Sequence, residues 1–385
     1  MKLYFATEAR FVKSKGAYHS LGGFSVELWK RYLEHFDHIV VIARVKHDDS
    51  YVSDPGQAIS IPEVTFLELP YYVGFRGYLQ NRKEIHAILN DRLSDDGCHI
   101  CRLPGQVGGE VIRVLKRKGI PYACEVVGDP WDVFAPGAVS HPLRPILRIV
   151  SAVSLKRQVA SARAVLYVTR YTLQKRYPVS DGAFSAGVSD VIIRDDVMAA
   201  EPEVHAIKDQ YVLLSIGSLE QMYKAPDIVI AALASLRKRG RDVRLIWLGE
   251  GRFKDEMIAL AADTGVTAEF KGNVPSDVVH SIIGQCDIFV LASRTEGLPR
   301  AVVEAMAHGV PCIGTRVGGI PELLDDEALV EKEDPEALAD LIEKLIDDSE
   351  FYDAQARRNL TVAYQYGKEH LDALRGAFFD YVKVL

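Results

Sequence analysis

The sequence contains few cysteines, and their spacing does not suggest a metal or disulfide framework. Cys98, Cys101, Cys124, Cys286 and Cys312 are the only five among 385 residues. An odd, sparse set is typical of a reducing compartment. Cys98 and Cys101 are spaced as C-x-x-C, but a zinc site requires a second such pair. Because CHICRL is strand-like, whereas a redox pair usually opens a helix, we expect these two residues to pack in a core.

Long apolar runs and an excess of positive charge are also absent. No apolar run reaches the length of about 18 residues that a membrane span needs. The first residues, MKLYFATEARF, are typical of a strand and not of a signal peptide. With the cysteine usage, this predicts a cytoplasmic protein. The net charge of −7 gives no reason to expect nucleic-acid binding, and a composition of 48% hydrophobic and 26% charged residues is ordinary for a globular protein.

Two common nucleotide-binding motifs are missing. No G-x-G-x-x-G follows a predicted strand, and no G-x-x-x-x-G-K-[ST] occurs. Simple dinucleotide binding and P-loop chemistry therefore lose support. The chain instead shows short apolar runs that alternate with helical stretches, first from residue 2 to about 169 and again from 211 to 315. This alternation predicts an α/β fold with two doubly wound, Rossmann-like domains, joined by a linker within 185–208, whose ligands bind at the carboxyl ends of the strands.

The segment RTEGLPRAVVEAM places two acids eight residues apart across a predicted strand–turn–helix. Pro299 suits the first helical position, and the backbone N–H groups near 297–301 then form an anion site at a helix N-terminus. Gly297 has no side chain to obstruct a diphosphate. Since a carboxylate repels phosphate but accepts hydrogen bonds from hydroxyl groups, Glu296 and Glu304 are predicted to bind sugar hydroxyls beside a diphosphate. A nucleotide sugar contains all of these groups. The alternative is a pair of solvated acids near a helix start.

Residues 293–324, SRTEGLPRAVVEAMAHGVPCIGTRVGGIPELL, strongly resemble the signature of the retaining GT-B glycosyltransferases of family 4. The resemblance implies that Glu296 contacts the hydroxyls of the transferred sugar and that Glu304 binds the ribose. It also implies that the segment Gly297, Leu298, Pro299 and Arg300 faces the sugar and diphosphate, although Pro299 offers no N–H.

The segment LLSIGSLEQMYKAPD (213–227) is similar to another donor-binding segment of that family. Gly217 and Lys224 match it, and the resemblance implies that Lys224 neutralises the donor diphosphate. Ser218 stands where the family has arginine, and Ala225 where it has glycine. We therefore expect Lys224 to act with another cation, for which Arg300 is a candidate. A solvated loop lysine is the alternative.

Weaker resemblances add further donor-binding candidates. Gly249, in GEGR, matches a glycine loop of the family, and Gly272, Asn273 and Val274 match the loop that usually borders the base. Gly22 and Gly23 match the N-terminal glycine loop near the donor phosphate and the acceptor. Glycines after strands are often only turns, so a purely structural role is the alternative at each position.

A histidine that the family often places near the reacting sugar is absent. Asp129, at the end of PYACEVVGD, is our candidate in its place. An Asp that serves the turn is an equal alternative. Glu125 and His141 are further ionisable candidates.

The stretch 141–164 has several basic residues among apolar ones and resembles a basic amphipathic helix. Such a helix can rest on an anionic membrane, which predicts a possible peripheral contact at its inner face. Many members of the family act on lipid-linked acceptors. A surface helix with one buried stripe is the alternative.

These observations predict a GT-B glycosyltransferase that moves a sugar from a nucleotide-diphosphate donor to a hydroxyl acceptor, with retention, in polysaccharide, glycolipid or other glycoconjugate biosynthesis. Glu296, Lys224 and Asp129 are the predicted catalytic residues, and no metal or other cofactor is expected. The predicted domains are an acceptor domain, 1–190, with 363–385 crossing back to it, and a donor domain, 205–362. A GT-B epimerase, a phosphorylase and a non-catalytic nucleotide-sugar-binding protein are the alternatives.

Overall fold

The computed structural model describes residues 1–21, 24–51, 58–134, 143–191 and 193–385. The chain divides into two compact units. The first unit comprises 1–130, 150–188 and 373–385, and the second comprises 131–149 and 189–372. The change of unit after residue 188 falls within the stretch where the sequence loses its strand–helix rhythm. The assignment of 131–149 to the second unit has no counterpart in the sequence pattern.

The first unit is built on one mostly parallel sheet. Its described strands are β1 (Lys2–Ser14), β2 (Ala17–Ser20), β3 (His38–His47), β4 (Ala58–Ile59), β5 (Val64–Leu69), β6 (Cys98–Leu103), β7 (Ala123–Val126), β8 (Ala164–Tyr167) and β9 (Phe184–Gly187). The parallel strands follow the order β5-β3-β1-β6-β7-β8-β9, while β2 pairs antiparallel with the end of β1 and β4 with β2. This is the doubly wound arrangement that the alternation predicted.

Helices follow most of these strands. They are α1 (Val26–Leu33), α2 (Gly74–Arg92), α3 (Gln106–Lys118), α4 (Pro130–Val133), α5 (Arg144–Ala160) and α6 (Thr172–Arg176). Within the first unit, a core on one face of the sheet combines Ile85 of α2, Val111 of α3 and Val159 of α5 with strand residues such as Cys101. The C-x-x-C pair therefore lies in strand β6, where burial raises the pKa of the Cys101 thiol, as an inert core position requires.

The strand that opens the chain is longer than predicted. The sequence indicated a strand over 2–9, whereas β1 continues to Ser14 with an irregularity between Ala6 and Arg10. Phe11 and Val12 are buried beyond this irregularity. Two charged residues, Glu8 and Arg10, interrupt the apolar run, and this hid the second half of the strand and the hairpin to β2.

The second unit has a fully parallel six-stranded sheet among its described residues. Its strands are β10 (Tyr211–Ile216), β11 (Val243–Leu248), β12 (Ala268–Gly272), β13 (Ile288–Leu291), β14 (Cys312–Thr315) and β15 (Leu329–Val330). Their order is β12-β11-β10-β13-β14-β15. This order, 3-2-1-4-5-6 by sequence, is that of the Rossmann fold, so the direction of winding reverses between β10 and β13.

Helices cover both faces of this sheet. They are α7 (Pro226–Lys238), α8 (Lys254–Asp263), α9 (Ser276–Ile283), α10 (Arg300–Ala307), α11 (Ile320–Leu323), α12 (Pro335–Asp347) and α13 (Ser349–Ala363). The last helix, α14 (Lys368–Lys383), belongs to the first unit from residue 373 onward. Neighbouring strand residues belong to different cores: Leu213 packs with α7 and α12, and Leu214 with α10 and α13. Burial on both faces explains why the central strands β10 and β13 are apolar along nearly their whole length.

Candidate functional site

Polar residues converge where the winding of the second sheet reverses. In open α/β sheets, ligands bind outside the carboxyl ends of the strands at this switch point. Here β10 is followed by the segment that carries Gly217 and Lys224, and β13 by the segment that carries Ser293 and Glu296. Two segments that the sequence singled out, about 70 residues apart, are therefore brought together by the strand order.

Lys224 and Glu296 form an ion pair at this point. The Lys224 Nζ donates to Glu296 Oε2 at 2.5 Å, and each side chain is 13% exposed. The Ser293 hydroxyl donates to the same carboxylate oxygen at 3.1 Å. Lys224 is therefore not a solvated loop lysine. The pair places a cation and a carboxylate in direct contact at the switch point.

Glycines allow the Lys224 side chain to lie across the end of β10. A Cβ at Gly217 would be 2.7 Å from Lys224 Cγ, and a Cβ at Gly249 would be 2.1 Å from the Gly217 carbonyl oxygen. Gly249 N also donates to Gly272 O at 2.8 Å. Gly217, Gly249 and Gly272, which follow or end three different strands, thus pack backbone against backbone and leave no room for side chains. Gly249 (φ 139°) and Gly272 (φ 72°) also adopt backbone angles that favour glycine.

The loop that carries Glu296 is held by a second glycine pair. A Cβ at Gly318 (φ 54°) would be 1.8 Å from the Glu296 carbonyl oxygen, and Gly319 N donates to Gly297 O at 2.6 Å. The buried Thr315 hydroxyl donates to Ser293 O at 2.6 Å. The Gly-Gly-x-Pro-Glu part of the signature therefore has a structural task, which is to support the backbone of the first acid.

Helix α10 begins beside Glu296 with no side-chain cap. It starts at Arg300, with Pro299 as the N-cap residue. The prediction that Pro299 is the first helical residue is therefore wrong by one position: with ψ 115° this residue is extended, not helical. The uncapped first turn leaves backbone N–H groups for an anion. The helix ends as predicted, with Gly309 at φ 70°, and Val310 N donates to Ala305 O.

Glu304 lies half-buried within the same helix. Among the residues that the structure describes, no side chain or backbone group donates a hydrogen bond to its carboxylate. Burial raises the pKa of Glu304, and the positive charge of Arg300 lowers it in part. A half-buried carboxylate without a donor is costly unless a ligand supplies hydroxyl groups.

The remaining donor-site candidates lie around this centre. Ser218 is exposed, and its hydroxyl donates to Glu250 O at 3.3 Å. Asn273 and Arg300 are exposed, while Leu298 and Val274 pack in part against the core beside α10. A Cβ at Gly297 would meet no atom within 4 Å, so this residue borders open space. Gly22, Gly23 and His141 lie outside the described residues.

Arg294 is a residue of this site that sequence reasoning missed. It precedes Glu296 by two positions, and its guanidinium contacts the Asp227 carboxylate with both terminal nitrogens, at 2.9 and 2.7 Å. Glu333 binds the other edge of the same group, at 2.6 and 3.0 Å. The two carboxylates hold the pKa of Arg294 above its usual range. Nothing in the sequence indicated these partners, since an arginine in a polar loop is ordinarily exposed.

Asp129 lies in the first unit with its carboxylate engaged. Arg176 pairs with Oδ2, and the Tyr177 hydroxyl donates to Oδ1 at 2.6 Å. The residue is 7% exposed. This pairing favours the alternative that the sequence left open, an Asp that stabilises the turn. Glu125 is also engaged, by the Tyr32 hydroxyl at 2.6 Å and Arg102 at 2.9 Å.

Comparison with known proteins agrees with the fold. Residues 197–361 match the family model described as Glycosyl transferases group 1. Protein CapJ of Staphylococcus aureus is 26% identical over 100% of this chain and 97% of its own length. The GDP-mannose-dependent α-(1-6)-phosphatidylinositol monomannoside mannosyltransferase of Mycolicibacterium smegmatis is 30% identical over 46% of this chain and 50% of its own length. The crystal structure of Anabaena HepE in complex with UDP and glucose superposes with a TM-score of 0.64, at 17% identity and full coverage of both chains.

The two Rossmann-like units and these relatives define a glycosyltransferase with the GT-B fold. Within the second unit, residues 197–361 resemble the Glycosyl transferases group 1 model, and the matched segment contains the whole constellation around Lys224, Glu296 and Glu304. The match does not extend to membership of family 4 or to retention of configuration, which stay predictions from the sequence resemblance.

Proposed function

We propose that this protein is a retaining, family 4 glycosyltransferase that moves a sugar from a nucleotide-diphosphate donor to an acceptor hydroxyl in glycoconjugate biosynthesis. The observation that carries the proposal is the arrangement around the first turn of α10. A cation and two carboxylates with different environments flank uncapped backbone N–H groups at the switch point of the sheet. Glu296 would bind the transferred sugar, Glu304 the ribose, and Lys224 with the helix amides the diphosphate.

The proposed reaction uses each of these positions. The bond between the anomeric carbon and the diphosphate oxygen breaks, and negative charge develops on that oxygen beside Lys224 and the α10 amides. The acceptor oxygen forms its new bond on the same face of the sugar. Its proton passes to an oxygen of the departing diphosphate, so no side-chain base is required. We therefore propose that Asp129 does not act as the general base, and that the reaction needs no metal ion.

A donor screen tests this proposal. The purified protein is incubated with UDP-, GDP- and ADP-sugars, and release of the nucleoside diphosphate is measured with and without acceptor glycosides and in EDTA. We expect one donor class to be consumed, at an unchanged rate in EDTA, and NMR of the product to show the donor's anomeric configuration. An inverted product or EDTA sensitivity would contradict retention or metal independence, respectively.

The same screen separates the rival functions. An epimerase would convert the donor sugar without any acceptor. A phosphorylase would require inorganic phosphate. A non-catalytic binding protein would bind a nucleotide sugar in calorimetry but release no diphosphate. If no donor is bound or consumed, the glycosyltransferase proposal is wrong.

We further propose a peripheral membrane contact through α5. Its first turns expose Ile146, Ile149, Val150 and Val153, which are 60%, 56%, 58% and 42% exposed and follow helical spacing on one side. The helix buries only Leu155 and Val159. Lys156 and Arg157 are exposed nearby. An apolar stripe beside cationic side chains suits a surface of anionic lipid. None of the described helices is long and apolar enough to cross a bilayer.

Vesicle sedimentation tests the membrane contact. We expect the protein to sediment with vesicles that contain phosphatidylglycerol and less with vesicles of phosphatidylcholine alone. The double substitution Ile146→Asp, Ile149→Asp should abolish this difference. Ile258→Asp is a matched control, since Ile258 is an exposed isoleucine of α8 at 44% exposure. Equal sedimentation of the double variant and the parent would rule out α5 as the contact.

A further inference from the structure

Arg294 uses every N–H group of its guanidinium. One terminal nitrogen donates to Met222 O at 2.6 Å and to Asp227 at 2.9 Å, the other donates to Asp227 at 2.7 Å and to Glu333 at 3.0 Å, and Nε donates to Glu333 at 2.6 Å. Arginine has five such donors in a fixed plane. The side chain is 14% exposed. A group this fully bound is fixed in one orientation.

The contacts of Arg294 enclose the turn that carries Lys224. Its backbone N–H donates to Tyr223 O at 2.7 Å, and its side chain binds Met222 before Lys224 and Asp227 after it. Arg294 itself lies two residues before Glu296. The residue thus joins the two segments whose side chains meet in the Lys224–Glu296 ion pair.

The enclosed turn is strained. Ala225, directly after Lys224, has a left-handed backbone with φ 51° and is fully buried. A non-glycine residue in this conformation is strained, because its Cβ lies too close to the backbone carbonyl oxygen. The turn has no glycine to adopt the conformation freely, so contacts on both sides must hold it. The Arg294 contacts lie at those two sides.

We propose that Arg294 is a positioning residue that acts through Lys224 and sets the affinity for the donor diphosphate. The proposal rests on the proposed function, because it requires Lys224 to bind the diphosphate. It does not require Arg294 to contact the donor. Lysine cannot replace it, since an ammonium group is a point charge without the planar fork that binds two carboxylates at once.

The test compares Arg294→Lys with a matched control. Arg239 also binds three carboxylates in the same unit, those of Glu336, Asp340 and Glu343, but these lie on α12 and not at the site. Calorimetry with UDP, GDP and ADP first identifies the diphosphate that the parent protein binds. We expect its Kd to be at least tenfold weaker for Arg294→Lys and unchanged for Arg239→Lys, measured below the melting temperature of both.

A double-substitution cycle shows whether the effect passes through Lys224. In a Lys224→Met background, Arg294→Lys should change the Kd less than twofold, because the group it positions is gone. Ala225→Gly should recover part of the lost affinity of Arg294→Lys, since glycine adopts the turn without strain. A parental Kd for Arg294→Lys, or a full tenfold loss in both backgrounds, would overturn the inference. If the parent binds no nucleoside diphosphate, the proposed function itself fails, and this inference fails with it.

Discussion

Lys224 Nζ lies 2.5 Å from Glu296 Oε2, so each of these two partly buried groups neutralises the other. A nucleotide sugar carries a partner for both, since its phosphates can take the ammonium and its sugar hydroxyls can donate to the carboxylate. We infer that the ion pair opens when the donor binds and that neither charge is left unpaired. Under the proposed function, such an exchange would make the same two residues compatible with a stable protein and with a ligand that contains both groups.

Replacement of Lys224 by methionine should therefore impair both stability and catalysis. The substitution leaves Glu296 without its cation, which should lower the free energy of unfolding by about 1–3 kcal/mol. Loss of one group that stabilises the developing charge should lower kcat by about 100-fold. The double variant Lys224→Met, Glu296→Gln should regain the lost stability but not the activity. Thermal melts and steady-state rates measure the two effects, and parental kcat in Lys224→Met would refute the role of this lysine.

Glu304 predicts a pH dependence of donor binding. Burial raises the pKa of this carboxyl above that of an ordinary glutamate, about 4.3. Only the ionised form accepts both ribose hydroxyls, so donor affinity should fall on acidification at a higher pH than an exposed glutamate would give. Glu304→Gln should bind the diphosphate about tenfold more weakly at pH 7 and lose this acid-side decline. The measurement is the Kd between pH 5 and 8.

The same residue should reduce stability at neutral pH. A carboxyl whose pKa is higher in the folded state than in the unfolded state binds its proton more tightly when folded. Its contribution to the free energy of unfolding therefore becomes unfavourable as the pH rises through the interval between the two pKa values. Glu304→Gln should then have a higher melting temperature than the parent at pH 7, by an amount that shrinks as the pH falls. Glu256→Gln is a control at an exposed position of α8. A melting temperature below that of the parent at pH 7 would contradict the assignment.

Much of the second unit could be predicted from the sequence because its strands are buried on both faces. Continuous apolar runs such as VLLSI and DIFVLA mark β10 and β13, and the predicted α/β fold is confirmed. The winding order then determines which loops meet. Glu304 was predicted as a site residue from its spacing to Glu296 and from the resemblance of 293–324 to a known signature, and the structure places it on α10, which begins beside Glu296.

The interactions of Arg294 could not be predicted in this way. Its carboxylate partners Asp227 and Glu333 lie 67 and 39 residues away in sequence, and the register of two loops decides whether they meet. The packing of Gly318 against the Glu296 backbone could not be predicted from the sequence either. The sequence showed the glycine pair as part of a signature. Only the structure shows that a Cβ at Gly318 would lie 1.8 Å from the Glu296 carbonyl oxygen.

Gly318 and Gly297 should therefore respond differently to the same substitution. A methyl group at Gly318 collides with the Glu296 carbonyl oxygen and must also adopt φ 54°, so Gly318→Ala should lower the free energy of unfolding by about 1–3 kcal/mol. A methyl group at Gly297 meets no protein atom within 4 Å. Gly297→Ala should have the melting temperature of the parent. It should bind the nucleoside diphosphate several-fold more weakly, because the methyl group would occupy the space proposed for the ligand. Unchanged affinity in Gly297→Ala would remove this residue from the donor site.

Asp129 should prove to be a structural residue of the first unit. Its carboxylate binds Arg176 and the Tyr177 hydroxyl, so Asp129→Asn weakens both contacts and removes the negative charge that faces Arg176. The side chain of Arg176 is 38% exposed, and solvent screens part of the loss, so we expect a decrease of about 1–3 kcal/mol in the free energy of unfolding. Arg176→Gln should have a similar effect. At a temperature where both variants are folded, kcat should remain within about threefold of the parent, because the departing diphosphate accepts the proton. A loss of 100-fold in kcat with an unchanged melting temperature would instead establish Asp129 as the general base.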